Sequence, residues 1–144
     1  MPVTPSFPNH NLYINKTKSI NISIKPNYAQ AHNNYGIALD TLGDKSAAVK
    51  SFKKALAIKL DYIEVNYNLG VTLKELGQLE DAVKSYEKAV ALKPDYADAH
   101  YNLGNTLKEL GQSAAAVNSY EKALAVNPDD AEAHNNLGNT LKEL

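Results

Sequence analysis

The chain has 144 residues, enough for one ordinary domain, and its 44% hydrophobic and 22% charged content is normal for a globular protein. A net charge of −1 without long runs of like charge argues against a surface built to neutralise nucleic-acid phosphates. The absence of cysteine excludes a disulfide framework, a thiolate zinc site and a thiol nucleophile. No stretch approaches the ~18 apolar residues of a membrane span. The N-terminus, MPVTPSFPNHNLYINK, lacks the apolar core of a secretory signal, so a cytoplasmic setting is expected.

Residues 1–12 carry three prolines and are expected to be loosely attached. Residues 13–25 admit two readings. Ile20, Ile22 and Ile24 alternate as in a strand, yet the segment lies where a second helix would precede Pro26. A degenerate helix that covers the first repeat is the preferred reading, because the terminal units of a stack must hide its apolar edge.

From there the sequence repeats. Gly36, Gly70, Gly104 and Gly138 stand 34 residues apart, and so do Gly43, Gly77 and Gly111. Ala48, Ala82 and Ala116 keep the same interval, as do Ala55, Ala89 and Ala123. Residues 67–78 read YNLGVTLKELGQ and residues 101–112 read YNLGNTLKELGQ. A fixed period of this size marks a solenoid, in which each unit buries its apolar face only against neighbours. The units are expected at 29–62, 63–96 and 97–130, with a half unit or capping helix at 131–144; residues 1–25 form an irregular or degenerate segment and 26–144 the repeat domain.

Each unit predicts two helices. The first covers roughly 29–42, 63–76, 97–110 and 131–144, with Leu103, Leu107 and Leu110 on one face in the third copy. Gly77 and Gly111 follow where a helix C-terminus takes positive φ. The second helix covers 45–58, 79–92 and 113–126, its buried stripe being Ala82, Tyr86, Ala89 and Val90 in the second copy. Pro94 and Pro128 are expected to end it, and Asp95 and Asp129 to cap the helix that follows. Gly70, Ala82 and Ala89 leave room for close helix approach, and Tyr86 fills the volume between.

These residues carry a resemblance. Leu69-Gly70, Ala82, Tyr86, Ala89 and Pro94, with their counterparts Leu103-Gly104, Ala116, Tyr120, Ala123 and Pro128, resemble the tetratricopeptide repeat over residues 26–144. The first copy reads Tyr35-Gly36, Ala48, Phe52, Ala55 and Leu60. Several positions depart from the family pattern. His32, Asn66, His100 and His134 replace its early tryptophan, Leu60 its proline, and Lys45 and Ser113 the apolar residue seen at Leu79. A looser first repeat is expected from them. The resemblance implies an all-α fold, an α-solenoid coiled as a right-handed superhelix of 34-residue helix-turn-helix repeats, with the first helices lining a concave groove. The wording "A-x-N-L-G-N-x-L-K-E" and "L-K-P-D" is similar to the repeat arm of O-GlcNAc-transferase-like proteins, although no catalytic domain of that kind is present.

The resemblance implies a non-enzymatic scaffold that binds a peptide or protein segment. Asn34, Asn68, Asn102 and Asn136 recur at the 34-residue interval, and an amide matches the donors and acceptors of a peptide unit. The transferase-like arm uses asparagines at this position to hold a ligand backbone. The competing reading has them bonded to the neighbouring repeat. Tyr67 and Tyr101 beside them offer flat amphipathic contact area, and Asn105 and Asn139 complete the candidate groove. Lys74, Lys108 and Lys142 either meet an acidic ligand or form a solvated mixed-charge face with Glu75, Glu109 and Glu143, the reading preferred here. Tyr28, Tyr62 and Tyr96 are expected as staples at helix starts.

Other chemistries find no support. His32, His100 and His134 lie on separate repeats, too far apart to share a metal, and no nucleophile, base and orienter fall together. No cofactor is expected, nor a membrane or nucleic-acid partner. Gln30, Asn33, Glu64 and Tyr67 occupy the positions where chaperone-tail binders of the family carry basic residues, so no such carboxylate clamp is expected. Two further expectations compete with simple ligand binding: that the chain is a substrate-recruiting arm of a larger glycosyltransferase-like enzyme, and that it self-associates through apolar repeat ends at Leu137, Leu141 and Leu144.

Overall fold

The computed structural model describes the backbone of residues 25–144 and side chains from Tyr28 onward. The readings of residues 1–24, including the degenerate helix, fall outside the described residues. Seven helices follow in order among the described residues: α1 Lys25–Thr41, α2 Lys45–Ile58, α3 Ile63–Glu75, α4 Leu79–Leu92, α5 Ala97–Glu109, α6 Ser113–Val126 and α7 Ala131–Lys142. The odd-numbered helices are the first helices of the pairs. α1 starts four residues before the expected 29, with Pro26 in its first turn, where a missing N–H removes no ladder bond.

The turns inside each pair are alike. At the end of α3, Gly77 takes φ +77°, its N–H donates to the Lys74 carbonyl at 2.9 Å, and Gln78 N–H reaches back to the Leu73 carbonyl at 2.9 Å. Carbonyls left over at the helix end are thereby satisfied by a left-handed residue that only glycine adopts without strain. Gly43 and Gly111 close the other two pairs in the same way.

The turns between pairs correct the expected caps. Tyr96 and Asp130, not Asp95 and Asp129, occupy the cap positions of α5 and α7. Asp130 accepts from Ala133 N–H at 3.1 Å, whereas Tyr62 and Tyr96 cap with backbone alone. Each of those tyrosines lies under a lysine, Lys59 or Lys93, at 4.9 Å from the ring centroid. Tyr28 sits inside α1 rather than at its start. Proline is not what stops the second helices: α2 ends at Ile58, in register with Leu92 and Val126, although Leu60 stands where Pro94 and Pro128 follow the others. The common stop is the extended residue after each helix, Lys59, Lys93 or Asn127, whose N–H closes the last bond to Ala55, Ala89 or Ala123.

The core is a column of rings against glycines. Phe52, Tyr86 and Tyr120 are fully buried, each on a second helix. A Cβ placed on Gly36, Gly70 or Gly104 would come within 2.6 to 2.8 Å of the facing ring. The ring thus rests on bare backbone, which is how the two helices of a pair come close enough to shut out water. Burial of such a side chain contributes roughly 1.5–3 kcal/mol. Ala48, Ala82, Ala116 and Ala133 fill the remaining space with minimal volume. Among the described residues no helix is long and apolar enough to cross a membrane.

Candidate functional site

Successive first helices touch one another (α1 on α3, α3 on α5, α5 on α7), while second helices pack chiefly on their flanking first helices. The array therefore curves toward the odd-numbered helices, and their shared face is its inner side. Nearly all hydrogen bonds and ion pairs between side chains of different pairs lie on this face.

Buried threonines fix its backbone. Thr72, Thr106 and Thr140 return their hydroxyls to the carbonyls of Asn68, Asn102 and Asn136 at 3.1, 2.7 and 2.7 Å. The asparagines reach toward the preceding pair. Asn68 Nδ2 donates to Asn33 Oδ1 at 3.1 Å, Asn102 Nδ2 to the Tyr67 hydroxyl at 3.2 Å, and Asn136 Nδ2 to the Tyr101 hydroxyl at 2.9 Å. Their partners lie 35 residues earlier, so one bond is made per repeat. Asn34, first in the row, is exposed. No hydrogen bond among the described residues ends on Oδ1 of Asn68, Asn102 or Asn136. Asn102 and Asn136 use both N–H donors within the stack and Asn68 uses one, while their oxygens remain as acceptors.

Tyr67 and Tyr101 are half-buried rather than flat on the surface. Tyr67 packs on Tyr96 with centroids 4.9 Å apart and on Tyr86 at 6.0 Å, and Tyr101 lies 6.1 Å from Tyr120. Burial, with the Asp98 charge nearby, raises the Tyr67 phenol above its ordinary value. The Tyr101 hydroxyl also donates to Glu132 Oε2 at 3.2 Å. Asn105 is occupied internally: its Oδ1 accepts from the Tyr120 hydroxyl at 2.7 Å and from Asn136 Nδ2 at 3.2 Å. Asn139 on α7 is exposed.

Two of the three lysines in the row are paired, while Lys142 is exposed and makes no ion pair among the described residues. Lys74 meets Glu109 at 3.2 Å and Lys108 meets Glu143 at 3.5 Å, each reaching one repeat onward. The same geometry in the first copy would oppose Asp40 to Glu75, two like charges. Lys45, on α2, resolves this by bonding Asp40 at 3.2 Å and pairing with Glu75, and the Thr72 hydroxyl shares its one proton between Asp40 Oδ1 and the Asn68 carbonyl, both at 3.1 Å. Its hydrogen bonds to Glu75 and then to Asp40 raise the Lys45 amine above its ordinary value. Asp40 and Lys45 are two departures in one repeat that compensate each other, a relation that one-dimensional reading passed over. Two histidines have structural partners. Nε2 of His100 and of His134 donates to the carbonyl of Pro94 and of Pro128, both at 2.7 Å. Asn66, in the same register, donates to the Tyr62 carbonyl at 3.0 Å. Asn33 Nδ2 bonds Glu64 Oε1 at 3.2 Å. Among the described residues no three histidine or acidic side chains gather as a metal site would require.

A solenoid of helix pairs, curved toward a polar inner face, is the class that these features define. A TPR repeat model matches residues 72–111 and 104–144, and a tetratricopeptide repeat model matches residues 29–62. The chain belongs to the tetratricopeptide repeat family. No curated protein matches its sequence. Among solved structures it is similar to the first TPR of Spaghetti (RPAP3) bound to the HSP90 peptide SRMEEVD, at 22% identity, 81% of this chain, 92% of that one and a TM-score of 0.78. It is also similar to MamA, at 25% identity, 88% of this chain, 73% of that one and a TM-score of 0.79. The Arabidopsis OM64 TPR domain gives 17% identity, 83% and 99% coverage and a TM-score of 0.79.

Proposed function

We propose that the chain is a non-catalytic interaction scaffold whose inner face holds a protein or peptide segment along Asn34, Asn68, Asn102 and Asn136. The observation that carries this is the orientation of the amides. Nδ2 of each of the last three donates to the preceding repeat, and Oδ1 of each accepts no hydrogen bond among the described residues, which leaves three acceptors at the repeat interval. A row of fixed acceptors suits an extended backbone presenting N–H groups, and it needs no particular ligand sequence. A fold neighbour binds an HSP90 peptide, SRMEEVD, which supports a groove used for peptides. An acidic tail of that kind is not the ligand proposed here. Asn33 and Glu64 occupy each other at the corresponding positions, and Lys74 and Lys108 are already neutralised.

The test is a pull-down from cell lysate with wild type and with a variant carrying alanine at Asn34, Asn68, Asn102 and Asn136. Circular dichroism first establishes that both are helical. Three of the four amides also bond between repeats, so Asn34→Ala, which removes an exposed side chain alone, serves as a second variant. Partners lost from the quadruple variant and weakened in Asn34→Ala are expected. Partners retained equally by both would sink the amide row and turn attention to the outer side.

A further inference from the structure

The outer side of the stack, where second helices lie apart, carries a groove at each junction. Between α4 and α6 it is a hollow of about 550 Å³ with a floor of Val90, Leu103 and Leu107 and a rim of Glu87, Asn118 and Lys122. Between α2 and α4 the same register gives a hollow of about 270 Å³ with Leu56, Leu69 and Leu73 below and Lys53, Lys84 and Lys88 above. The two share a shape and differ in charge. Residues 45–59 hold five lysines and no acidic residue. Lys84 is shared with Asp81 at 3.7 Å, whereas Lys53 and Lys88 make no ion pair among the described residues.

Lys88 also borders a second hollow of about 400 Å³, lined by Leu60, Ala91 and Leu92 together with Asp61. Leu60 is 77% exposed and stands in the register of Pro94 and Pro128. A large aliphatic side chain held in water at a rigid joint is unexplained by the fold, because α2 ends in register without a proline.

We propose that this α2–α4 groove is a second docking surface, for an acidic peptide segment that carries a bulky apolar side chain. The apolar anchor enters between Leu60 and Leu92, and neighbouring carboxylates lie along Lys88, Lys84 and Lys53. Charge complementarity selects the partner. An acidic segment meets two ammonium groups, Lys53 and Lys88, that make no ion pair among the described residues, above an apolar floor of Leu56, Leu69 and Leu73. A bilayer is too flat to reach Leu69 and Leu73 below the rim, and a nucleic acid carries no aliphatic side chain to place between Leu60 and Leu92; Asp61 and Asp81 in the lining confine the acidic residues of a peptide to the positions over Lys53 and Lys88. The surface is independent of the asparagine row, which lies on the other side.

A displayed library of random peptides of about 12 residues, a length suited to one groove, is selected on the full chain, and recovered peptides are measured by fluorescence anisotropy. Recovered sequences are expected to combine Asp or Glu with Leu, Ile or Phe. Their affinity is expected to fall about tenfold or more in Lys53→Glu/Lys88→Glu and in Leu60→Asp, and to weaken with salt. It is expected to survive in the quadruple asparagine variant. All three altered side chains are exposed, and unchanged thermal melting separates loss of docking from loss of fold. Four outcomes overturn the proposal: no enrichment, enrichment of sequences without acidic residues, equal binding to the lysine variant, or co-sedimentation with phosphatidylserine vesicles in place of peptide binding.

Discussion

The single difference between YNLGVTLKELGQ and YNLGNTLKELGQ, Val71 against Asn105, decides the fate of a buried hydroxyl. Tyr120 donates to Asn105 Oδ1 at 2.7 Å, whereas the buried Tyr86 hydroxyl, facing Val71, has no partner among the described residues. In the first copy the pair is Ile37 and Phe52, apolar on both sides. A buried hydroxyl without a bond costs about 1–3 kcal/mol, and a satisfied one contributes about 1 kcal/mol. Tyr86→Phe is therefore expected to be neutral or to stabilise by up to about 1 kcal/mol, and Tyr120→Phe to destabilise by about 1 kcal/mol. Urea unfolding of the two variants beside wild type checks the opposite signs; equal effects would mean that the Asn105 contact contributes nothing.

At the scale of the elements, helix approach rests on glycine at two kinds of position. Gly104 and Gly138 share a register, but a Cβ on Gly104 would meet Tyr120 at 2.7 Å while one on Gly138 meets nothing within 4 Å. Alanine favours a helix interior over glycine by about 0.8–1 kcal/mol. Overpacking against a ring costs about 1–3 kcal/mol. Gly138→Ala is expected to raise the melting temperature and Gly104→Ala to lower it, both read by circular dichroism. The positions of the helices were legible in the sequence because the period fixes them. The second helices run over the expected 45–58, 79–92 and 113–126, and the first ones differ from expectation mainly at their ends. The site was legible only as a row. Which atom of Asn102 remains for a ligand depends on Tyr67, a residue 35 positions away, and periodicity says nothing about bonds between copies. The Asp40–Lys45–Glu75 arrangement escaped for the same reason: Asp40 and Lys45 read as isolated departures until the helices are side by side.

Across the whole molecule, the aromatic column links stability to pH. An ordinary tyrosine phenol ionises near 10.0; burial, with Tyr101 nearby, holds Tyr120 up to about 12, and burial with Tyr67 nearby does the same for Tyr96. Tyr86 is pushed higher still, chiefly by burial. The unfolded chain releases these protons near pH 10 while the folded chain keeps them. Their contribution is therefore whole below about pH 10 and is lost as pH rises through about 12. The melting temperature, read by circular dichroism, is expected to be level up to about pH 10 and to fall between 10 and 12. A melting temperature that stayed level through pH 12 would contradict the burial of these rings.

The two sides of the arc differ in what holds them. Bonds such as Lys74–Glu109 and Asn136–Tyr101 tie the inner side, and hollows floored by Leu69, Leu73, Leu103 and Leu107 open on the outer side. Straightening the arc lengthens polar links that water and salt replace at small cost. Tightening it presses first helices already in contact and widens hollows with apolar floors, which costs in proportion to the area wetted. Opening the arc is therefore expected to cost less than tightening it, so the spacing of the first helices is set more firmly against closure than against spreading.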